Sequence, residues 1–273
     1  MDRNTEDNKI FKVAVRSLES SGKLLMKILL SDSTVAMKVE TKNENDIETE
    51  ADRLSARNIK KVISDSFPDH GIMFEESDYD KLSGSDHLWV VDSIAGTINF
   101  EARIPHFGIN LALVKKGEPV FGFNYYPYAD DLYYAKKGAG AFHINRRLKI
   151  KKRMSVSRIA EAKDGVLLLC SGKSLEKRLW TGRIFNKTVP FFRQVDKFSN
   201  AQEAGLLGST KAVGYVSNSA QYWDFIAHKL IVEESGGRTS DIFGNELSRE
   251  SNSVIYSNGL LHDFIVNLVK DTK

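Results

Sequence analysis

Over residues 9–30 the apolar side chains Ile10, Val13, Val15, Leu18, Leu24, Leu25, Ile28 and Leu29 return at mostly helical spacing and predict an N-terminal helix. A second helix has a sharper start: Thr49 with Asp52 three residues on is a capping-box signature, Leu54, Ile59, Val62 and Ile63 follow, and Pro68 closes the segment. The texture then changes. The stretches HLWVVD, HFGINLALVKKGEPVFGFNYYP and DLYYAKKGAGAF are short, apolar or aromatic, and divided by glycine and proline turns, which predicts strands with Lys116 and Gly117 in a hairpin between two of them. The last third alternates apolar strands (residues 165–170 and 211–216) with helices (about 200–207 and 223–235), the second helix stopped by Gly236 and Gly237. No internal repeat is visible, and strands alternating with helices make this a layered α/β protein.

Length and composition narrow the picture. A chain of 273 residues can bury a substantial core. No Pro/Gly/Ser-rich or charge-block linker divides it, so one unit with two lobes is expected, about 1–150 (α+β) and about 151–273 (α/β). The charged opening MDRNTEDNKIFKVAVRSLES lacks the apolar core of a signal peptide and no later run is long enough for a membrane span, so a cytoplasmic protein with no membrane partner is expected. Cys170 is the sole cysteine, which excludes an intrachain disulfide and a cysteine-rich zinc site; at the end of an apolar run it reads as a small buried hydrophobe. The net charge of +3 is too slight to imply nucleic acid, and the basic run at residues 146–153, RRLKIKKR, has no interleaved aromatics and reads as a solvated strand or loop edge.

Candidate chemistry centres on HLWVVDSIAGTINF. Asp92 stands where an apolar strand opens into a loop, a place where ligands commonly sit. Gly96 and Thr97 precede a possible helical turn, whose backbone N–H groups can hold phosphate oxygens; glycine allows close approach, and a threonine hydroxyl can align a water. Glu75 and Glu76 follow a short strand at residues 71–74, and Asp224 begins the last major helix. Hard oxygen donors at such edges suit magnesium. Taken singly, each has another reading: Asp224 can favour the positive end of its helix, Glu75 and Glu76 can be solvated, and Asp92 can stabilise a turn. Their combination makes the case.

The pattern E-E-S, then W-x-x-D-x-x-x-G-T-x-N-F, then W-D before a helix ending in E-x-G-G resembles the inositol monophosphatase family, as do KNENDIETEAD at residues 42–52, PHFGINLALVKKGEPVFGFNYYP and AKKGAGAF. The resemblance spans residues 9–261. It implies an alpha-beta-alpha-beta-alpha sandwich of the sugar phosphatase type and a phosphoric monoester hydrolase that uses Mg2+ or Mn2+ on a small phosphorylated sugar, cyclitol, amino alcohol or nucleotide. By the same resemblance Glu75, Asp92, the Ile94 carbonyl and Asp224 hold metal. Glu75 also shares in activating the attacking water that Thr97 orients, the Gly96 and Thr97 backbone contacts phosphate, and Lys42 lies near the site. Ser93, the position of Ala95, Ser171, Asn200 with its neighbour Ser199, and Ser217 fall on the substrate side. A homodimer is implied as well. Paired cations would supply both a nucleophile near neutral pH and charge stabilisation on the departing oxygen.

The family signature D-P-I-D-G-T reads here Asp92-Ser93-Ile94-Ala95-Gly96-Thr97. Serine for proline touches no ligand, but alanine at 95 removes an anionic metal ligand, and loss even of an outer-shell partner costs about 10- to 100-fold in metal affinity or activity. With Glu75, Asp92, Thr97 and Asp224 intact, the sequence reads as a competent phosphatase carrying an engineered inactivating change, with the first metal site retained and turnover poor. The alternative is a natural member that has given up catalysis and binds a phosphorylated ligand as a sensor or binding module. Ser217, where inositol-specific members carry a glutamate, weakens inositol phosphate as the substrate.

Overall fold

The computed structural model describes residues 3–31, 39–43, 46–75, 85–172, 174–198, 202–209 and 212–272, with the backbone alone at 3, 4, 39–43 and 46–48. In chain order, helix α1 (Arg3–Leu29) leads to a small hairpin, β1 (Val39–Asn43) and β2 (Asp46–Thr49), and helix α2 (Glu50–Ser66). A seven-stranded sheet follows: β3 (Gly71–Phe74), β4 (His87–Ala95), a short helix α3 (Thr97–Glu101), then β5 (Gly108–Lys115), β6 (Glu118–Tyr126), β7 (Asp131–Lys136), β8 (Gly140–Asn145) and β9 (Ile150–Arg153). The remainder holds β10 (Val166–Leu169), α4 (Leu175–Thr188), β11 (Gln194–Lys197), α5 (Glu203–Leu207), β12 (Ala212–Ser217), α6 (Tyr222–Glu234), β13 (Arg238–Ser240), β14 (Val254–Ser257) and α7 (His262–Val269).

In the first sheet, strands lie in sequence order from β3 to β9, β3 parallel to β4 and the others antiparallel. The second has the order β11-β10-β12-β14-β13, with β11, β10 and β12 parallel and β14 antiparallel to both its neighbours. Alternation along each strand sets the layers, because successive side chains face opposite ways. Trp89, Val91, Ile109, Leu111, Phe121 and Phe123 pack against Leu18, Leu25, Ile59 and Ile63 of α1 and α2. Val90, Ala112 and Val114 face the other way, onto Phe225, Ile226, Leu230 and Ile231 of α6, which also meet Tyr215 and Tyr256 of the second sheet. The far face of that sheet, with Leu167, Leu169, Val213 and Ile255, is closed by Trp180 and Ile184 of α4 and Ile265 and Val269 of α7. The order is helix, sheet, helix, sheet, helix, the sandwich that the resemblance implies.

Several elements stand where the hydrophobic pattern places them. Thr49 caps α2 and shares the capping box with Asp52, and Lys116 and Gly117 both take positive φ in the β5–β6 turn, as a two-residue hairpin with right-handed strand twist requires. Residues 150–153 form the edge strand β9, with Lys151, Lys152 and Arg153 exposed, and Cys170 is buried, which pushes its thiol pKa up. Other expectations need adjustment. The first helix begins at Arg3, and the helix expected from residue 200 is described only over Glu203–Leu207. Asp92 lies inside β4 rather than at its end, because the ladder resumes at Ala95 after a bulge. Among the described residues no helix is long and apolar enough to cross a membrane.

Candidate active site

The site is built around the bulge in β4. Across the β4–β5 ladder Asp92 pairs with Asn110 and Ala95 with Gly108, so Ser93 and Ile94 together oppose the single residue Ile109. Such an insertion bends a strand and re-aims its side chains. Asp92 is buried, and its Oδ1 accepts the Ile94 N–H at 3.2 Å. The Ser93 hydroxyl donates to the Asp52 carbonyl at 3.1 Å, and the Ser93 carbonyl accepts from Ser55 Oγ at 3.0 Å. These two bonds stitch the bulge to the first turns of α2. Phe74 of β3 lies beside Val91 in parallel register at the end of that ladder, so Glu75 and Asp92 are the next residues on two strands spaced about 4.8 Å apart.

Gly96, at φ 91° and ψ 41°, turns the chain from β4 into α3 in a left-handed conformation that suits glycine. The first N–H groups of that helical turn have no intrahelical acceptor. Thr97 follows, with one hydroxyl proton and two acceptors in reach: the Ile94 carbonyl at 3.1 Å and Asp52 Oδ1 at 3.3 Å. Asp52 is buried, and its other oxygen accepts the Thr49 N–H at 2.8 Å and the Thr49 hydroxyl at 2.5 Å. Its second role is one that sequence reasoning missed. The capping box explained Asp52 completely as a local feature, and no local signal links it to a threonine 45 residues away.

Asp224 lies in the first turn of α6, where its Oδ2 accepts the Gln221 N–H at 2.7 Å. The helix crosses the first sheet. Tyr222 and Phe225 approach Leu88 of β4 at a cavity of about 370 Å3 on one flank, while at the far end the Glu234 carboxylate accepts the N–H groups of Gly138 and Gly140 in the β7–β8 turn at 2.6 and 2.7 Å. Close passage over β6 depends on Gly122, because a Cβ there would come within 2.6 Å of the Ala227 carbonyl oxygen. Farther along α6, His228 Nε2 stands 2.9 Å from Asn110 Oδ1 of β5. Asp224 lies one helical turn, about 5.4 Å along the axis, before His228 on α6.

Comparison with known proteins fixes the family. Residues 6–273 match the Inositol monophosphatase family. A Thermotoga maritima protein named fructose-1,6-bisphosphatase/inositol-1-monophosphatase is 33% identical over 83% of each chain. The chain belongs to the inositol monophosphatase family. Nus factor SuhB of Escherichia coli K12 is 28% identical over 91% of each chain. Among solved structures, a Thermotoga maritima IMPase superposes with a TM-score of 0.83 at 32% identity, covering 97% of this chain and 98% of that one. A suhB protein from Bartonella henselae, 24% identical, shares the fold with a TM-score of 0.86 over 97% and 99% of the two chains.

The family is metal-dependent and hydrolyses phosphomonoesters of sugar phosphates. Magnesium is usually held by one or two carboxylates, with waters and phosphate oxygens completing the shell. Glu75, Asp92 and the Ile94 carbonyl are oxygen donors of the type that such a cation takes, carried by the end of β3, by β4 and by the β4 bulge. A three-acid cage does not form: among the described residues no three of His, Cys, Asp and Glu gather closely enough to hold a metal. Ala95, between Asp92 and Thr97, adds no carboxylate to the acids carried by separate elements.

Ala95 itself is 2% exposed. Ala95 pairs with Gly108 across β4 and β5, and it packs with Tyr126, the last residue of β6, in a small apolar cluster. The Tyr126 hydroxyl lies 3.0 Å from His106 Nδ1. Burial, with the Glu203 carboxylate adding to it, pushes that phenol far above its ordinary pKa. Of the expected substrate-side residues, Ser93 spends its hydroxyl on α2. Ser217 is buried, with its oxygen accepting the Ser219 N–H at 3.2 Å, and Ser171 is half-buried after β10. Asn200, Ser199, Glu76 and the Lys42 side chain lie outside the described residues.

Proposed function

We propose that this chain is a Mg2+-dependent phosphomonoesterase acting on a small phosphorylated sugar, cyclitol, amino alcohol or nucleotide, slowed by alanine at 95. The supporting observation is the contact between Thr97 and Asp52 beside the bulge. If Thr97 gives its proton to Asp52, the threonine oxygen keeps lone pairs to accept from a water, and the Ile94 carbonyl is released to face a cation. Asp52 then orients that hydroxyl and, by pulling on its proton, makes the threonine oxygen a better acceptor for a water O–H, while Thr49 holds the carboxylate from behind. Glu75 and Asp92 would bind the cation with the Ile94 carbonyl, and Asp224 would approach from α6. A bound divalent ion would supply Lewis-acid stabilisation of the phosphoryl oxygens. The N–H groups from Gly96 and Thr97 would receive phosphate oxygens at the turn.

The packing of Ala95 under Tyr126 favours a second reading, a family member that binds a phosphorylated ligand without turning it over. Alanine suits that apolar contact, whereas an aspartate would place a carboxylate beside a buried ring. A phosphate-release screen over a broad monoester library, run on the chain and on A95D with saturating MgCl2, separates the two. The phosphatase reading expects release from at least one ester, faster in A95D by about 10-fold or more. Tight binding of a phosphorylated metabolite with no release by either form would establish the sensor instead.

A further inference from the structure

The middle helix carries a buried imidazole that the proposed chemistry does not use. His228 is wholly buried, with Nε2 at 2.9 Å from Asn110 Oδ1 and Nδ1 at 3.2 Å from Glu203 Oε1, the latter close enough for an ion pair but out of line for a hydrogen bond. Glu203 opens α5 and is itself 3% exposed. Asn110 Oδ1 also accepts from Asn124 Nδ2 at 2.8 Å, which makes it an acceptor and places a hydrogen on His228 Nε2. Imidazole, carboxylate and carboxamides in the layer between two sheets carry a desolvation penalty that an apolar residue would avoid. What such groups add is direction, since a helix resting on aliphatic side chains slides more easily than one held by hydrogen bonds.

Direction matters here because of what lies one turn away. Asp224 and His228 are four residues apart and share a flank of α6. Asn110, which His228 grips, faces Asp92 across the β4–β5 ladder. Fixing His228 over β5 therefore fixes Asp224 relative to Asp92 on β4.

We propose that His228, held between Glu203 and Asn110, is a positioning residue that sets the separation of Asp224 from Asp92 and so tunes the site for a divalent cation. The inference rests on the cation-dependent reading above. Two polar replacements separate its contacts: glutamine reproduces the reach of Nε2 toward Asn110, and asparagine keeps a polar group near Glu203 but falls short of Asn110. Mn2+ binding to the full chain is measured by titration calorimetry, alongside the denaturant stability of the metal-free protein. H228N is expected to bind Mn2+ at least 10-fold more weakly than wild type and H228Q within threefold of it, although both lose stability without metal. A purely structural role would lower the metal-free stability and leave both affinities unchanged. Wild-type affinity in H228N, or equal weakening in the two variants, overturns the proposal. Should H228N not fold, the double variant H228L with E203Q, which removes the donor and the facing charge together, is read by the same criterion as H228N. Absence of Mn2+ binding by the wild type would instead remove the cation-dependent reading itself, and this inference with it.

Discussion

At His262 the protein buries an imidazole between two serine hydroxyls, Ser257 at 2.7 Å from Nδ1 and Ser240 at 2.9 Å from Nε2. Burial, with the Arg238 charge adding to it, lowers its pKa from 6.5 to about 4. The folded value lies below the unfolded one, so the unfolded chain binds the extra proton first as pH falls. The neutral, buried form is at full advantage above pH 6.5; stability then declines between pH 6.5 and about 4 and levels off below, a total of about 3 kcal/mol. Urea denaturation of wild type and H262Q at pH 7.5, 5.5 and 4.5 isolates this contribution from other titrating groups. The stability difference between the two proteins is expected to shift against wild type by about that amount over the range. A pH-independent difference would mean that His262 is not held neutral.

At the scale of elements, two glycines with opposite surroundings test how α6 is held. Gly122 is where the α6 backbone passes over β6, and an added Cβ would meet the Ala227 carbonyl oxygen at 2.6 Å and its Cα at 3.2 Å. Backbone cannot rotate aside, so G122A is expected to lower stability by about 1–3 kcal/mol and, by lifting α6, to weaken Mn2+ binding. Gly182 in α4 has nothing within 4 Å of its added Cβ; G182A is expected to raise stability by about 0.5–1 kcal/mol with the same Mn2+ affinity. Equal effects of the two on Mn2+ binding would break the link between α6 docking and the site. The same elements show what the sequence made legible. Helix α2 announced itself through Thr49 and Asp52, and the β5–β6 hairpin through Lys116 and Gly117, because both signals are local. Helix α4 did not: it buries Trp180, Thr181, Ile184 and Thr188, yet Leu175, Leu179 and Phe185 are exposed, so its apolar residues trace no single face. The signature around Asp92 pointed to the candidate site, but the contacts of Thr97 with Asp52 and of His228 with Asn110 are made by strand bulging and helix crossing, which spacing along a chain does not encode.

For the whole molecule, the proposed site draws on separate parts of the fold: Glu75 follows β3, Asp92 belongs to β4, Asp52 to α2, and Asp224 to the helix layer that packs between the sheets. A cation bound there stabilises the native state only, since the unfolded chain does not bring Glu75 and Asp92 together. Linkage then gives about 2.7 kcal/mol at a free ion concentration 100 times Kd, and at about 2 °C per kcal/mol for a chain of this size the melting temperature is expected to rise by about 5 °C. Asp92 is a carboxylate of the proposed donor set, so D92N is expected to abolish the rise. The metal-free protein should barely suffer from that change, because the amide oxygen can still accept the Ile94 N–H and one negative charge beside Glu75 is gone. Thermal melts in MgCl2 and in EDTA for both proteins make the comparison, and a rise of the same size in D92N would place the cation elsewhere on the molecule.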